Sequence, residues 1–189
     1  MAYVPATLLP GGRILTGSLI DNSTYIYNIA GNSFSSAANK VYNDLSEEEG
    51  WTKLANGKIL TYDVNYSVAA GASYAELYDP ATNQWSSISP ANGSAKGTLP
   101  LLSSAPLYDE LGPGLRLLDG RAFIIGANGK TALYTESTNT WTAGPDVQGT
   151  LSGTPAVFGA DDAPGALLPN GHVIFAADAG PSPVISVAR

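Results

Sequence analysis

One nine-residue pattern occurs three times in this 189-residue chain, and it constrains the fold more than any other feature. The copies are IYNIAGNSF at 26–34, LYDPATNQW at 77–85 and LYTESTNTW at 133–141. In each copy a tyrosine is followed by an asparagine five positions later and by a large aromatic residue seven positions later. Internal repetition of this kind predicts an array of similar structural units.

A second pattern precedes each copy and occurs a fourth time near the C-terminus. It is found as LLPGGRILTG at 8–17, KLANGKILTY at 53–62, LLDGRAFIIG at 117–126 and LLPNGHVIFA at 167–176. Two apolar, β-prone runs flank a glycine in every copy, and Asn-Gly favours the positive φ angles of a two-residue turn. The second pattern therefore predicts four β-hairpins with tight two-residue turns.

Together the two patterns predict one four-stranded antiparallel meander of about 50 residues, which is the size of a propeller blade. The predicted fold is all-β, a single partial β-propeller of about 3.5 blades at 1–40, 41–95, 105–147 and 155–189, the last incomplete. The segment 89–110 is predicted to be a loop between blades. The equivalent aromatic residues Phe34, Trp85 and Trp141, and the tyrosines before them, are predicted to pack between neighbouring sheets.

Composition narrows the possible partners. The net charge is −7 and no cluster of Lys and Arg is present, which argues against nucleic-acid binding. Apolar runs are about seven residues long, too short for a membrane span. No signal peptide is evident in MAYVPATLLPGG. The sequence does not determine the cellular compartment, and an extracellular or virion location is favoured.

The paired patterns resemble the kelch repeat as it occurs in galactose-oxidase-like β-propellers. The resemblance extends from Leu8 to Gly180 and implies a propeller fold, while propellers carry many unrelated functions. The repeats are diverged, because LTGS, TYDV, IGAN and AADA replace the glycine doublet that usually ends the second kelch strand.

The copper-radical enzymes of that family imply a Cys–Tyr crosslink and paired histidine ligands. This chain has no cysteine and a single histidine, His172, which follows a hairpin glycine where the other repeats carry Arg13, Lys58 and Arg121. Copper-radical oxidase chemistry is therefore excluded, and His172 is predicted to be a polar residue at a strand edge. No catalytic residues are predicted.

An acidic residue lies ten positions before three of the four hairpin glycines. These residues are Glu47, Glu110 and Asp161, with Glu48, Glu49, Asp109 and Asp162 beside them. In a propeller they would lie just before the innermost strands and surround one mouth of the central channel. We expect a site for Ca²⁺, which takes oxygen ligands, or for sugar hydroxyls. The alternative is a set of solvated charges that keep the loops soluble.

The sequence favours a non-catalytic structural or binding module, for a glycan or a protein, that assembles with other chains or copies. An array of 3.5 blades leaves apolar faces of its end sheets uncovered, which predicts self-association or a complementary, propeller-completing chain. Two alternatives stay open. One is a fragment of a larger extracellular propeller enzyme, where catalysis in the channel mouth would need paired carboxylates as acid and base. The other is a virion or filament component.

Overall fold

The computed structural model of the chain is all-β, with antiparallel sheets that follow one another along the sequence. It describes residues 3–104, 110–178 and 186–187. Sheet A is a simple meander in which each strand pairs with the next. Its strands are β1 Ala6–Leu9, β2 Arg13–Thr16, β3 Tyr25–Asn28 and β4 Ser33–Ser36.

Sheet B repeats this meander with a short helix inserted. Its strands are β5 Thr52–Lys53, β6 Ile59–Tyr62, β7 Ala75–Asp79 and β8 Gln84–Ser87. The helix α1, Val64–Ala70, lies between β6 and β7, where the repeat predicted only a loop. It ends at Gly71, whose φ of 62° is the left-handed conformation that commonly closes a helix. No helix in the described ranges has the length and apolar character needed to cross a membrane.

Sheet C contains five strands. They are β9 Lys96–Gly97, β10 Leu111–Arg116, β11 Ala122–Gly126, β12 Thr131–Thr135 and β13 Thr140–Ala143. The last four form the meander, and β9 pairs in parallel with the outer strand β13. The segment predicted as a loop between blades therefore also extends a sheet.

Two further sheets follow. The strands β14 Gln148–Leu151 and β15 Thr154–Val157 form a separate hairpin that the repeat did not predict. Sheet D consists of β16 Gly165–Leu167, β17 Val173–Ala177 and β18 Ser186–Val187. Its strands pair in the order β16–β17–β18.

The four predicted hairpins are present, but the prediction of two-residue turns is wrong. In the second unit, Leu54 N donates to Lys58 O, and Gly57 N donates to Leu54 O, which closes a three-residue loop. Within this loop only Gly57 has a positive φ, and the side-chain Oδ1 of Asn56 accepts a hydrogen bond from Lys58 N. Equivalent bonds form in the third and fourth units. His172 lies exposed at the end of the fourth turn, as predicted.

The Tyr–Asn–aromatic pattern closes the turn between the third and fourth strands of a unit. In sheet B, Tyr78 Oη donates to Asn83 Oδ1 at 2.9 Å, and Asn83 adopts a left-handed φ of 53°. The ring of Tyr78 lies 5.2 Å from that of Trp85, directly across the strand pair. The same hydrogen bond and ring pair recur in sheets A and C. The repeated phrase thus specifies one structural unit.

Trp85 and Trp141 pack between neighbouring sheets, as predicted. Trp85 lies in a core shared by sheets A and B, and its Nε1 donates to Thr24 Oγ1 at 3.3 Å. Trp141 lies in the core between sheets B and C, and its Nε1 donates to Ile88 O at 2.8 Å. In both cases the indole reaches back to the segment around the preceding sheet.

The prediction for Phe34 is wrong, since 68% of this residue is exposed. Phe34 belongs to sheet A, and no sheet precedes sheet A in the described part of the chain. The ring still pairs with Tyr27 at 5.0 Å, so the turn is built as in the other units. The local structure of the repeat is therefore intact, and the difference is that no sheet among the described residues covers Phe34.

The first strands of sheets B, C and D lie close to one another. A Cβ at Gly114 in β10 would lie only 2.0 Å from Thr52 Oγ1 in β5, so this contact requires glycine. Strand β10 also contacts β16. The segments that lead into β5, β10 and β16 are thereby brought together, and these segments carry the predicted acidic residues.

Candidate acidic site

Three acidic side chains meet just before the inner strands. One carboxylate oxygen from each of Glu48, Glu110 and Asp162 lies within 4.8 Å of the other two. We call these three residues the acidic cluster. Glu110 was a first choice of the sequence analysis, whereas Glu48 and Asp162 are the neighbours of the other first choices, Glu47 and Asp161. Asp109, also predicted there, lies outside the described residues.

The backbone at two of these positions explains the shift by one residue. Glu48 and Asp162 both have a left-handed backbone, with φ of 58° and 50°. This conformation costs about 1–3 kcal/mol in a residue other than glycine, and it persists only where the surroundings impose it. Two separate units impose it at equivalent positions, so the fold itself holds both carboxylates at the cluster.

The acidic cluster borders an open cleft of about 320 Å³. Besides the cluster residues Glu48 and Asp162, the cleft is lined by Pro5, Trp51 and Leu111, among others. It therefore combines carboxylate oxygens with apolar and aromatic surface. Such a lining suits a small ligand that carries either positive charge or hydroxyl groups.

The carboxylates of the cleft repel one another. Burial raises the pKa of Glu48, and the negative charges of Asp162 and Glu47 raise it further. Burial also raises the pKa of Asp161, with Asp178 and Asp162 adding to the effect. Glu48 Oε2 is buried and has no hydrogen-bond partner in the described part of the chain. A hard cation or a hydroxyl donor would relieve this repulsion.

A second cluster of charged residues, which the sequence analysis missed, is enclosed behind the first. Lys40 Nζ lies 2.8 Å from Asp63 Oδ1 and 3.8 Å from Asp44 Oδ2, and it also contacts Glu49 Oε1. Glu76 is the fourth buried carboxylate of the group. We call Lys40, Asp44, Glu49, Asp63 and Glu76 the lysine network.

The lysine network holds the segment between sheets A and B against sheet B. The two carboxylate oxygens of Glu76 accept hydrogen bonds from Val41 N at 2.8 Å and Tyr42 N at 2.9 Å. Glu49 Oε2 accepts from Trp51 Nε1 and from Thr61 Oγ1, both at 3.1 Å. These bonds tie residues 41–51 to sheet B. Because the same segment carries Glu48, the network also fixes one side of the cleft.

Protonation of the network follows from its excess of carboxylates. Burial raises the pKa of Glu49 and Glu76 to about 8 each and that of Asp44 to about 6. Burial also raises the pKa of Asp63. Lys40 is the cation that these groups share, and their attraction outweighs burial and raises its pKa. Burial therefore opposes the ionisation of Glu49 and Glu76, whereas the Lys40 ammonium group favours their charged forms.

Glu49, predicted beside Glu48, does border the cleft, but it contributes little exposed surface there. Glu49 is buried and points into the lysine network. A signal for the network was present in the sequence, because Asp63 and Glu76 interrupt apolar strand residues in LTYDV and AELY. A charged residue at a buried strand position requires a partner, and the partner here comes from the loop before the sheet.

Comparison with known proteins bears on the fold alone. No protein-family model matches the chain, and no curated protein sequence matches it. A candidate gluconolactonase structure is similar at a TM-score of 0.57 and 10% identity, over 97% of this chain and 59% of its own. The extracellular domain of a candidate one-component system from B. thetaiotaomicron is similar at a TM-score of 0.53 and 16% identity. The match covers 90% of this chain and 19% of that domain's chain.

A copper complex of a fungal alcohol oxidase of the AA5 family is similar at a TM-score of 0.48 and 18% identity, over 72% of this chain and 29% of its own. The chain thus spans less than two thirds of each of the three structures. The two structures with TM-scores above 0.5 agree with the propeller-like arrangement of sheets described above.

Proposed function

We propose that this chain is a non-catalytic, kelch-like propeller module that acts by assembling with other chains or copies. The observation that carries the proposal is the uncovered face of sheet A. The equivalent aromatic residues of sheets B and C, Trp85 and Trp141, are 6% and 1% exposed, whereas Phe34 in sheet A is 68% exposed. A repeat that buries this position in two units and exposes it in a third leaves a surface suited to another sheet.

The repeated turn supports the kelch-like assignment. Tyrosine, asparagine and the large aromatic residue make the same contacts in three sheets. The asparagines also bond to the segment that trails the preceding sheet: Asn83 Oδ1 accepts from Ala38 N, and Asn139 Nδ2 donates to Ser94 O. The pattern therefore joins each sheet to the sheet before it, and in sheet A the same residues face solvent.

Light scattering on the purified chain tests the assembly. We expect a species of at least twice the 19.5 kDa chain mass, because the apolar face of sheet A gains by leaving water. Circular dichroism on the same sample checks that the chain is folded. A folded, monodisperse monomer of 19.5 kDa would overturn the proposal.

A second candidate function is ligand binding in the cleft. The observation that favours it is the convergence of Glu48, Glu110 and Asp162 from three different units beside an apolar wall. We propose Ca²⁺ as the ligand, or a glycan whose hydroxyls donate to the carboxylates. A bound cation would offset the repulsion that raises the pKa of Glu48.

Calcium is expected to raise the melting temperature, since a ligand that binds only the folded state stabilises it. Melting curves with CaCl2 and with EDTA measure the effect. Glu110→Gln removes one charge from the acidic cluster and should abolish the rise. Glu136→Gln is the matched control, because Glu136 lies between β12 and β13 at the other end of sheet C, and its rise should equal that of the unmodified chain. Coincident curves in Ca²⁺ and EDTA would contradict the metal site.

A further inference from the structure

One row of apolar side chains crosses sheet A and is exposed most strongly at its two ends. Strand register aligns Leu8 with Ile14, Ile14 with Tyr27, and Tyr27 with Phe34, across all four strands. We call these four residues the front row. Leu8 is 58% and Phe34 68% exposed, and the other two are half-buried. The row carries no charged side chain, so water covers a continuous apolar strip.

The corresponding row of sheet B shows what such a strip contacts when it is covered. It consists of Lys53, Ile59, Tyr78 and Trp85 in the same register, and its three apolar members are the last three. Ile59, Tyr78 and Trp85 are buried against Leu15 and Ile26 on the opposite face of sheet A. A front row is therefore covered by the back face of another sheet.

Two of the described side chains on the back face of β16 and β17 in sheet D are exposed. Ile174 in β17 occupies the position of Leu15 in β2, because each is the third residue after its hairpin glycine. Leu15 is fully buried by sheet B, whereas Ile174 is 36% exposed. Ala166, which pairs with Ile174 from β16, is exposed as well. The described part of the chain thus exposes a front row at one end and a matching back face at the other.

We infer that the back face of sheet D of one copy packs on the front row of sheet A of a second copy. This inference rests on the proposed assembly function and names its partner. Ile174 of one copy takes the place that Leu15 holds against sheet B, and it lies against Phe34 of the next copy.

The front row has phenylalanine, Phe34, where the other two sheets have tryptophan, and this difference fits the proposed partner. Trp85 and Trp141 each donate an indole N–H to an oxygen atom near the preceding sheet. Phe34 has no such donor, so a purely apolar surface can cover it without leaving a polar group unpaired. The contact uses different surfaces on the two copies. It therefore repeats, and it produces a closed ring or a filament according to the rotation between copies.

Engineered cysteines test the contact directly, because the chain has no cysteine of its own. Ser36→Cys places a thiol on the Phe34 side of β4, and Ala166→Cys places one on the back face of sheet D; both positions are exposed. The two variants are mixed and treated with a short bifunctional maleimide. We expect a crosslinked pair that contains one chain of each kind.

Ser35→Cys is the matched control, since Ser35 is exposed on the same strand but belongs to the opposite face. It should crosslink to Ala166→Cys far less than Ser36→Cys does. In a separate sample, Phe34→Glu should convert the assembly to monomers while circular dichroism stays unchanged.

Three results are distinguishable. Selective crosslinking through Ser36→Cys, with dissociation by Phe34→Glu, supports the inference. An assembly that survives Phe34→Glu and crosslinks equally through Ser35→Cys overturns this contact but leaves the proposed assembly function standing. A folded monomer under all conditions overturns both.

Discussion

Replacing Trp141 with alanine is expected to lower the free energy of unfolding by about 3–5 kcal/mol, the range for truncating a buried large aromatic residue. Trp141 is 1% exposed and lies in the core between sheets B and C. The substitution also leaves Ile88 O without the indole N–H that bonds to it at 2.8 Å. Urea denaturation followed by circular dichroism measures the change.

Leu118→Ala is the matched control for Trp141→Ala. Leu118 follows strand β10 of the same sheet, but 69% of the residue is exposed, so its truncation should cost less than about 0.5 kcal/mol. A cost below about 1 kcal/mol for Trp141→Ala would contradict the role of this ring as the filler between sheets. Comparing the two variants separates the effect of burying Trp141 from a general loss of stability on any truncation in sheet C.

The repeat allowed the meanders, the hairpin positions and the burial of Trp85 and Trp141 to be predicted, because those features depend on residues close in sequence. Phe34 shows where such reasoning fails. Its local contacts are the same as those of Trp85, yet its burial depends on whether another sheet lies in front of it. No periodicity within the repeat contains that information.

Of the three main acidic residues predicted from the sequence, the structure places only Glu110 in the acidic cluster, together with the neighbours of the other two. Counting back from the hairpin glycines identified Glu110 and the neighbours of Glu48 and Asp162. Which member of each acidic pair faces the cleft depends on the left-handed backbone at Glu48 and Asp162, and L-residues adopt this conformation too rarely for sequence to predict it. The lysine network was missed because Lys40 and Asp63 are 23 positions apart and meet only when the loop folds onto sheet B.

Replacing Lys40 with methionine is expected to lower the free energy of unfolding by about 3–5 kcal/mol near neutral pH, since it leaves buried carboxylates without their cation. Methionine keeps a long apolar chain in the cavity, so the loss reflects mainly the removed charge. Chemical denaturation measures the change. Lys130→Met is the matched control, because Lys130 and Asp146 form a partly exposed pair at 2.6 Å, whose loss should cost less than about 1 kcal/mol.

The dependence on pH distinguishes an electrostatic loss from a packing loss. The pKa values of Glu49 and Glu76 are about 8 in the folded chain and 4.5 ordinarily, so the folded state holds more protons between these limits. Stability from these groups is fully present below about pH 4.5 and is lost as the pH rises towards 8. The unmodified chain should therefore be more stable at pH 5 than at pH 8.5.

Lys40→Met should steepen this dependence on pH. Without the ammonium group, ionisation of Asp44, Glu49 and Asp63 has no compensating charge within the network. The penalty is then smallest at pH 5, where the folded network still holds most of its protons, and largest at pH 8.5, where the folded chain must either ionise buried carboxylates or keep protons that the unfolded chain has lost. A loss of equal size at both pH values would show that Lys40 acts by filling space. A loss that grows with pH would show that its charge holds residues 41–51, and with them Glu48 of the acidic cluster, against sheet B.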